Sequence, residues 1–185
     1  MIAIDEFTSR HNFFPFRLYL QQLQHAIAIA THDVSREELT RHPDGCPNGT
    51  WCMAEVLEHL YLTYTGTAKG LERCLQAGKP LATPINLKQR ARISLVIGLN
   101  YFPRDRKSPE RARPKGMSPG KVMAEIGPQI ATMGALLAEC ESRYGAATRV
   151  MDHPILGPLT ARQWRKFHWV HGRHHVKQIL KLRLQ

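Results

Sequence analysis

The segment TARQWRKFHWVHGRHHVKQIL, residues 160–180, admits few folded environments. Thr160 followed three residues later by Gln163 is the pattern of a capping box, in which each side chain satisfies the other residue's free backbone N–H at a helix start. On the helix that follows, turning 100° per residue, His171 and His175 lie one turn apart on one face. His168 and Gln178 share that stripe with Trp164, Phe167, Ile179 and Leu182. Four histidines fall within the eight residues 168–175, and three of them lie on a face that is otherwise mostly apolar, with His174 about 60° to one side. Such a face has to be covered by other elements, and an imidazole placed there needs a partner.

Helical periodicity also dominates the rest of the chain. Residues 15–30 read as a first helix, with Phe16, Leu20, Leu23, Ile27 and Ala30 close to one face. Thr50 is the expected N-cap of a second, over residues 51–76, whose later half is weakened by Gly66 and Gly70. A third is expected over residues 85–101, with Leu87, Ala91, Leu95 and Leu99 spaced four apart. Ser118 and Pro119 fit the cap and first position of another, reaching Arg143 with a kink at Gly127-Pro128. Strand signals are weak: no sustained alternation appears, and Asp44-Gly45 and Asn48-Gly49 fall in a loop-like cluster. The 185 residues fit one domain, 1–185, and four long helices with a shorter one predict an all-α, antiparallel helical bundle.

The chain carries 26 Lys and Arg against 15 Asp and Glu, a formal net charge of +11. This favours anionic partners without choosing among nucleic acid, anionic lipid and acidic small molecules. Much of the excess lies between Lys88 and Lys121 and in the last 25 residues. The stretch NYFPRDRKSPERARPKGMSPG, which overlaps the basic loop 103–121, is proline-rich and hostile to helix, and is expected to be a long surface loop. No run of apolar residues is long enough to span a membrane. The N-terminus carries Asp5 and Glu6 and lacks the apolar core of a signal peptide, which points to a cytoplasmic protein. Cys46, Cys52, Cys74 and Cys140 show no CxxC spacing and read as reduced thiols.

The spacing His171-x-x-x-His175 presents two imidazoles to one metal ion from a single helix. Two such ligands hold a transition metal poorly, so a third is sought elsewhere. His59, within WCMAEVLEHL, is the best candidate, on a stripe of Cys52, Val56, Thr63 and Gly66 at the edge of the buried face, beside an open pocket. The competing reading makes these histidines hydrogen-bonded core residues with no metal. His168 and His174 are placed beside the ligand pair as supporting groups, and Gln178 can hydrogen-bond a ligand ring. His11, His25, His32, His42 and His153 have no useful spacing and read as surface or loop residues. Glu55, one turn before His59, is a weak candidate for proton transfer and reads more readily as a solvent-facing carboxylate favoured by the helix N-terminus. Cys52 reads as a small buried residue.

Three pieces of the chain, in order, resemble the DinB-like (YfiT-like) superfamily of metal-dependent enzymes. They are Trp51 with AEVLEHL; HPILGPLTARQW at 153–164, which resembles the approach to the last helix in one subgroup of uncharacterised members; and HGRHHVKQI at 171–179, similar to the pattern HxxHHxxQ. Together they cover about a fifth of the chain. The resemblance implies a four-helix bundle of up-down-down-up topology, here with an extra helix and the long basic loop between the second and third bundle helices. It also implies a homodimer, and a metal triad that falls on His59, His171 and His175 and holds nickel or zinc. By the same resemblance, the activity is thiol S-transfer, with a low-molecular-weight thiol, or hydrolysis of a small molecule. Two other functions stay open on the residues alone. One is a non-catalytic bundle binding nucleic acid or another anionic partner through the basic loop, against which the scarcity of aromatic residues in that loop counts. The other is an interaction protein whose metal is structural.

Overall fold

The computed structural model describes residues 18–43, 50–101 and 108–185. The elements are α1 (Leu18–Ala30), α2 (Arg36–Thr40), α3 (Met53–Gln76), α4 (Leu87–Ile93) running into a π-helical turn (Ser94–Gly98), a 3-10 turn (Glu110–Ala112), α5 (Pro119–Tyr144), β1 (Arg149–His153), β2 (Gly157–Thr160) and α6 (Ala161–Leu182). The protein is mostly helical. Helix α3 packs along α5 and α1 along α6, while α6 also touches α3 and α5. One continuous core joins them, drawn from Leu23 and Ile27 of α1, Val56, Leu60 and Tyr64 of α3, Ile130 and Met133 of α5, and Trp164 and Ile179 of α6.

Thr160 accepts the Gln163 N–H at 3.2 Å, and the Gln163 side chain accepts the Thr160 N–H at 3.0 Å, so α6 begins with the expected reciprocal cap. Helix α5 starts at Pro119 behind Ser118 and continues unbroken through Pro128 to Tyr144. Helix α3 starts two residues later than expected. Its N-cap is Cys52, not Thr50, and the Glu55 carboxylate accepts the Cys52 N–H at 2.9 Å. The expected start of the first helix at Pro15 and the Gly-rich cluster around Asp44-Gly45 and Asn48-Gly49 lie outside the described residues, as do His11, Cys46 and part of the basic loop.

Two elements depart from the sequence reading. A short antiparallel hairpin, β1 with β2, precedes α6, pairing Met151 with Leu159 and His153 with Gly157. Its strands are too short for alternation to register, and the second opens with Gly157-Pro158, residues that argue against a strand. The other departure is the helix expected over 85–101. It forms over Leu87–Ile93 with a π turn to Gly98, but the four-residue spacing marks its outer face. Leu87, Leu95 and Leu99 are 82%, 42% and 74% exposed, while Ile93, Val96 and Ile97 face the core.

Helix α6 comes close to α1 at Gly172. A β-carbon there would press into the side chain of Leu23, which is 0% exposed and has nowhere to move. Gly66, mid-way along α3 and exposed, has no atom within 4 Å of such a carbon. The two glycines should therefore respond oppositely to alanine. Gly66→Ala is expected to stabilise by about 1 kcal/mol through helix propensity. Gly172→Ala is expected to lose up to about 2 kcal/mol, because crowding at the upper end of about 1–3 kcal/mol outweighs the same gain of about 1 kcal/mol. Urea unfolding of both variants checks this; equal and favourable shifts would show that Leu23 yields.

Candidate metal centre

Residues 56–60 of α3 are all buried, because α5, α6 and the segment around the 3-10 turn enclose the helix at this level. His59 is 3% exposed, His171 5% and His175 7%. His59 therefore sits inside the protein and not at the edge of an open pocket. Two surface hollows, of about 480 Å³ beside His25, Ile29 and Arg183 and about 290 Å³ beside His42 and Leu182, lie away from it.

The three imidazoles converge through the same ring atom. His171 Nε2 lies 3.2 Å from His59 Nε2 and 3.1 Å from His175 Nε2. The other nitrogen of two of the rings is already engaged. His59 Nδ1 donates to the Ala112 carbonyl at 2.7 Å, and His175 Nδ1 donates to Gln178 Oε1 at 3.0 Å. Neutral His59 and His175 with Nδ1 protonated direct Nε2 lone pairs at His171 from two sides. A proton on His171 Nε2 can serve only one of those contacts. A shared cation satisfies all three, and nitrogens bound at about 2.0–2.1 Å in a tetrahedral shell lie roughly 3.3 Å apart, close to the spacing seen. The donor set thus fits one divalent ion, and among the described residues the group holds three ligands.

Aromatic neighbours hold the rings in place. Trp51 packs on His59 with ring centroids 5.1 Å apart, and Phe167 stacks on His171 at 5.5 Å and 10°. Burial depresses every imidazole here. The pKa of His175 is pushed down to about 3, chiefly by desolvation and then by His59, and that of His171 lies well below 6.5 for the same first reason, with His175 and His59 adding repulsion. Burial also lowers the His59 value, which the Ala112 hydrogen bond partly offsets. The rings are therefore neutral at neutral pH, the state in which imidazole binds metal.

The supporting residues fall into different places. Gln178 orients His175 through the hydrogen bond just given. His174 packs edge-on against His175, with centroids 5.1 Å apart, and is half-buried. His168 is 0% exposed and stacks with Trp164 at 5.6 Å, below Tyr64. Neither of its ring nitrogens has a hydrogen-bond partner among the described residues. Glu55 caps α3 and stands 3.8 Å from His42 Nε2, forming with buried Cys52 a second group of potential ligands at the helix start. His25, His32 and His42 are exposed, whereas His153 is not a free loop residue. Its Nδ1 accepts the N–H groups of Ile155 and Leu156 at 3.1 Å each, shaping the hairpin turn, and its ring packs on Phe167 at 4.4 Å.

Sequence reasoning missed Glu58. It is 2% exposed, and its carboxylate accepts backbone N–H groups from Lys115 at 2.7 Å, Gly116 at 3.1 Å and Met117 at 3.0 Å. Gly116, at φ +81°, gives the turn that brings these groups together. The described part of the basic loop is thus a surface loop, as expected, but one tied down beside His59. A carboxylate inside the buried run VLEHL was the available signal.

The fold is mostly helical and holds a buried group of three imidazoles. The chain is a member of the family described as protein of unknown function (DUF1569), whose profile matches residues 20–182. No curated protein and no solved structure matches the chain.

Folded-state pKa values of about 3 for His168 and His175 lie below the unfolded value of 6.5, so the unfolded chain takes up these protons first. Stability of the metal-free protein is full above about pH 6.5 and falls as the pH drops from there toward about 3. Each buried imidazole contributes up to about 1.4 kcal/mol per pH unit. Unfolding free energies measured in urea at about pH 7.5 and about pH 5.5 should differ by about 1.4 kcal/mol for each such ring, about 3 kcal/mol from His168 and His175 together, with His153 and His171 adding to it in the same direction. Equal midpoints would show that these rings are not held neutral.

Proposed function

We propose that this chain is a DinB-like metal-binding protein, a four-helix bundle of up-down-down-up topology acting as a homodimer, with one divalent ion held by His59, His171 and His175. The convergence of three Nε2 atoms from α3 and α6 supports this reading, because two of the rings have Nδ1 committed as donor. Nickel and zinc both suit neutral imidazole. Three protein ligands leave a coordination position for an outside group, and a divalent ion there lowers the pKa of a bound water or thiol toward neutrality. That chemistry serves hydrolysis of a small molecule or S-transfer from a low-molecular-weight thiol.

The chain's own residues set the conditions for it. Trp51 and Phe167 keep the rings from turning, and Ala112 and Gln178 hold their tautomers. The Glu58 clamp keeps residues 115–117 over the His59 side, which limits the solvent reaching the site. Glu55 is engaged in capping α3, so it has little to recommend it as a proton carrier. A nucleic-acid binder acting through the basic loop has less support, since the described part of that loop is tied to the buried face of α3.

Protein purified without an affinity tag is expected to carry about one divalent ion per chain. Saturating nickel or zinc should raise the melting temperature of the stripped protein by about 5–10 °C. His59→Ala and the double variant His171→Ala, His175→Ala should lose both the ion and the shift. Absence of metal on elemental analysis, with no shift on adding either ion, contradicts the proposal. In a cobalt-loaded sample, a sulfur-to-cobalt charge-transfer band on adding a small thiol favours S-transfer; its absence favours hydrolysis.

A further inference from the structure

The outer face of α4 and its π turn carries leucines where a surface helix carries polar residues. Leu87, Leu95 and Leu99 are 82%, 42% and 74% exposed, and Ala91 between them is exposed as well. The patch continues beyond the helix. Tyr101, 53% exposed, returns its N–H to the Leu95 carbonyl at 3.4 Å, and Arg92 donates to the carbonyl of Ile155, itself 41% exposed, at 3.2 Å. Apolar residues from two separate parts of the chain therefore share one face, and contiguous exposed apolar surface marks a contact site.

The charges around this face limit what can cover it. Lys88, Arg90 and Arg92 are all exposed, and they flank the leucine stripe on both sides. No Asp or Glu occurs between Glu72 and Asp105. A second copy packed through the same face would set these cations against their own counterparts, since a two-fold contact repeats one patch on both sides. Nucleic acid would match the cations and leave the leucines in water. An anionic lipid surface accommodates both: apolar side chains enter the boundary between headgroups and acyl chains, while Lys and Arg extend along it to the phosphates. No described helix is long and apolar enough to cross a membrane, so the contact is peripheral.

We propose that the outer face of Leu87–Leu99, with Tyr101 and Ile155, docks this protein onto anionic lipid bilayers. The contact uses no residue of the histidine group and stands apart from any metal reading. Vesicle co-sedimentation of the full chain tests it, with pure phosphatidylcholine in one arm and a phosphatidylcholine–phosphatidylglycerol mixture in the other. Binding is expected to the mixed vesicles only, and added salt should weaken it. Removing three cations in Lys88→Ala, Arg90→Ala, Arg92→Ala should lower affinity about a hundredfold. Leu99→Glu and Leu87→Glu, at exposed positions that leave the core untouched, should each lower it about tenfold or more. No binding, equal binding to neutral vesicles, or binding unchanged by the leucine variants would overturn the proposal. So would light scattering that shows a dimer converted to monomer by Leu99→Glu, because the face would then belong to a second copy.

Discussion

The hydrogen bond from His59 Nδ1 to the Ala112 carbonyl, 2.7 Å long, does two jobs at once. It fixes the proton on one nitrogen of His59, so that the other presents its lone pair to His171. It also joins α3 to a segment more than fifty residues further along the chain. The neighbouring residue reinforces that junction, because the Glu58 carboxylate gathers three successive N–H groups just beyond Ala112. Two adjacent side chains of one helix thus hold the covering segment and orient the ring beneath it. A carboxylate that accepts several backbone N–H groups is well compensated for its burial.

Burying this much imidazole costs stability, since each ring loses water and sits beside others that resist a second charge. The cost falls on α3 and α6, which carry the rings, and the surrounding core offsets it. Trp51, Phe167 and Trp164 pack on the imidazole faces, and Gly172 lets α6 settle against Leu23 of α1. His168, whose ring nitrogens have no hydrogen-bond partner among the described residues, packs as an aromatic ring, stacked on Trp164 and edge-on to Tyr64. His153, by contrast, was unremarkable in spacing. It proves to be a turn-forming acceptor because backbone groups two and three residues away reach it.

Local rules made the ends of helices and the shared face of His171 and His175 legible in the sequence. The Thr160–Gln163 cap and the start at Pro119 depend on a few adjacent residues, and those residues behave alike in most contexts. His59 was legible because a histidine in a buried helical run invites a partner. What long-range contacts decide was not legible. Ala112 contributes a carbonyl, which every residue has, so no residue type announced it. Glu58 carried only the faint signal of a carboxylate inside VLEHL, and nothing local announced the loop whose N–H groups it gathers. The Leu87–Leu99 spacing marked a helical stretch, which forms as Leu87–Ile93 and a π turn to Gly98, but periodicity does not say which face meets the core. Here Ile93, Val96 and Ile97 took that place.

The account stands on three ring nitrogens from two helices sharing one cation. Anomalous diffraction from crystals of the protein loaded with zinc or nickel, collected at that metal's absorption edge, tests this most directly. The account predicts one dominant peak at bonding distance from Nε2 of His59, His171 and His175, with Nδ1 of His59 still turned to Ala112. A peak at His42, Cys52 and Glu55 with nothing among the three imidazoles, or rings rotated so that their Nε2 atoms no longer meet, would contradict it.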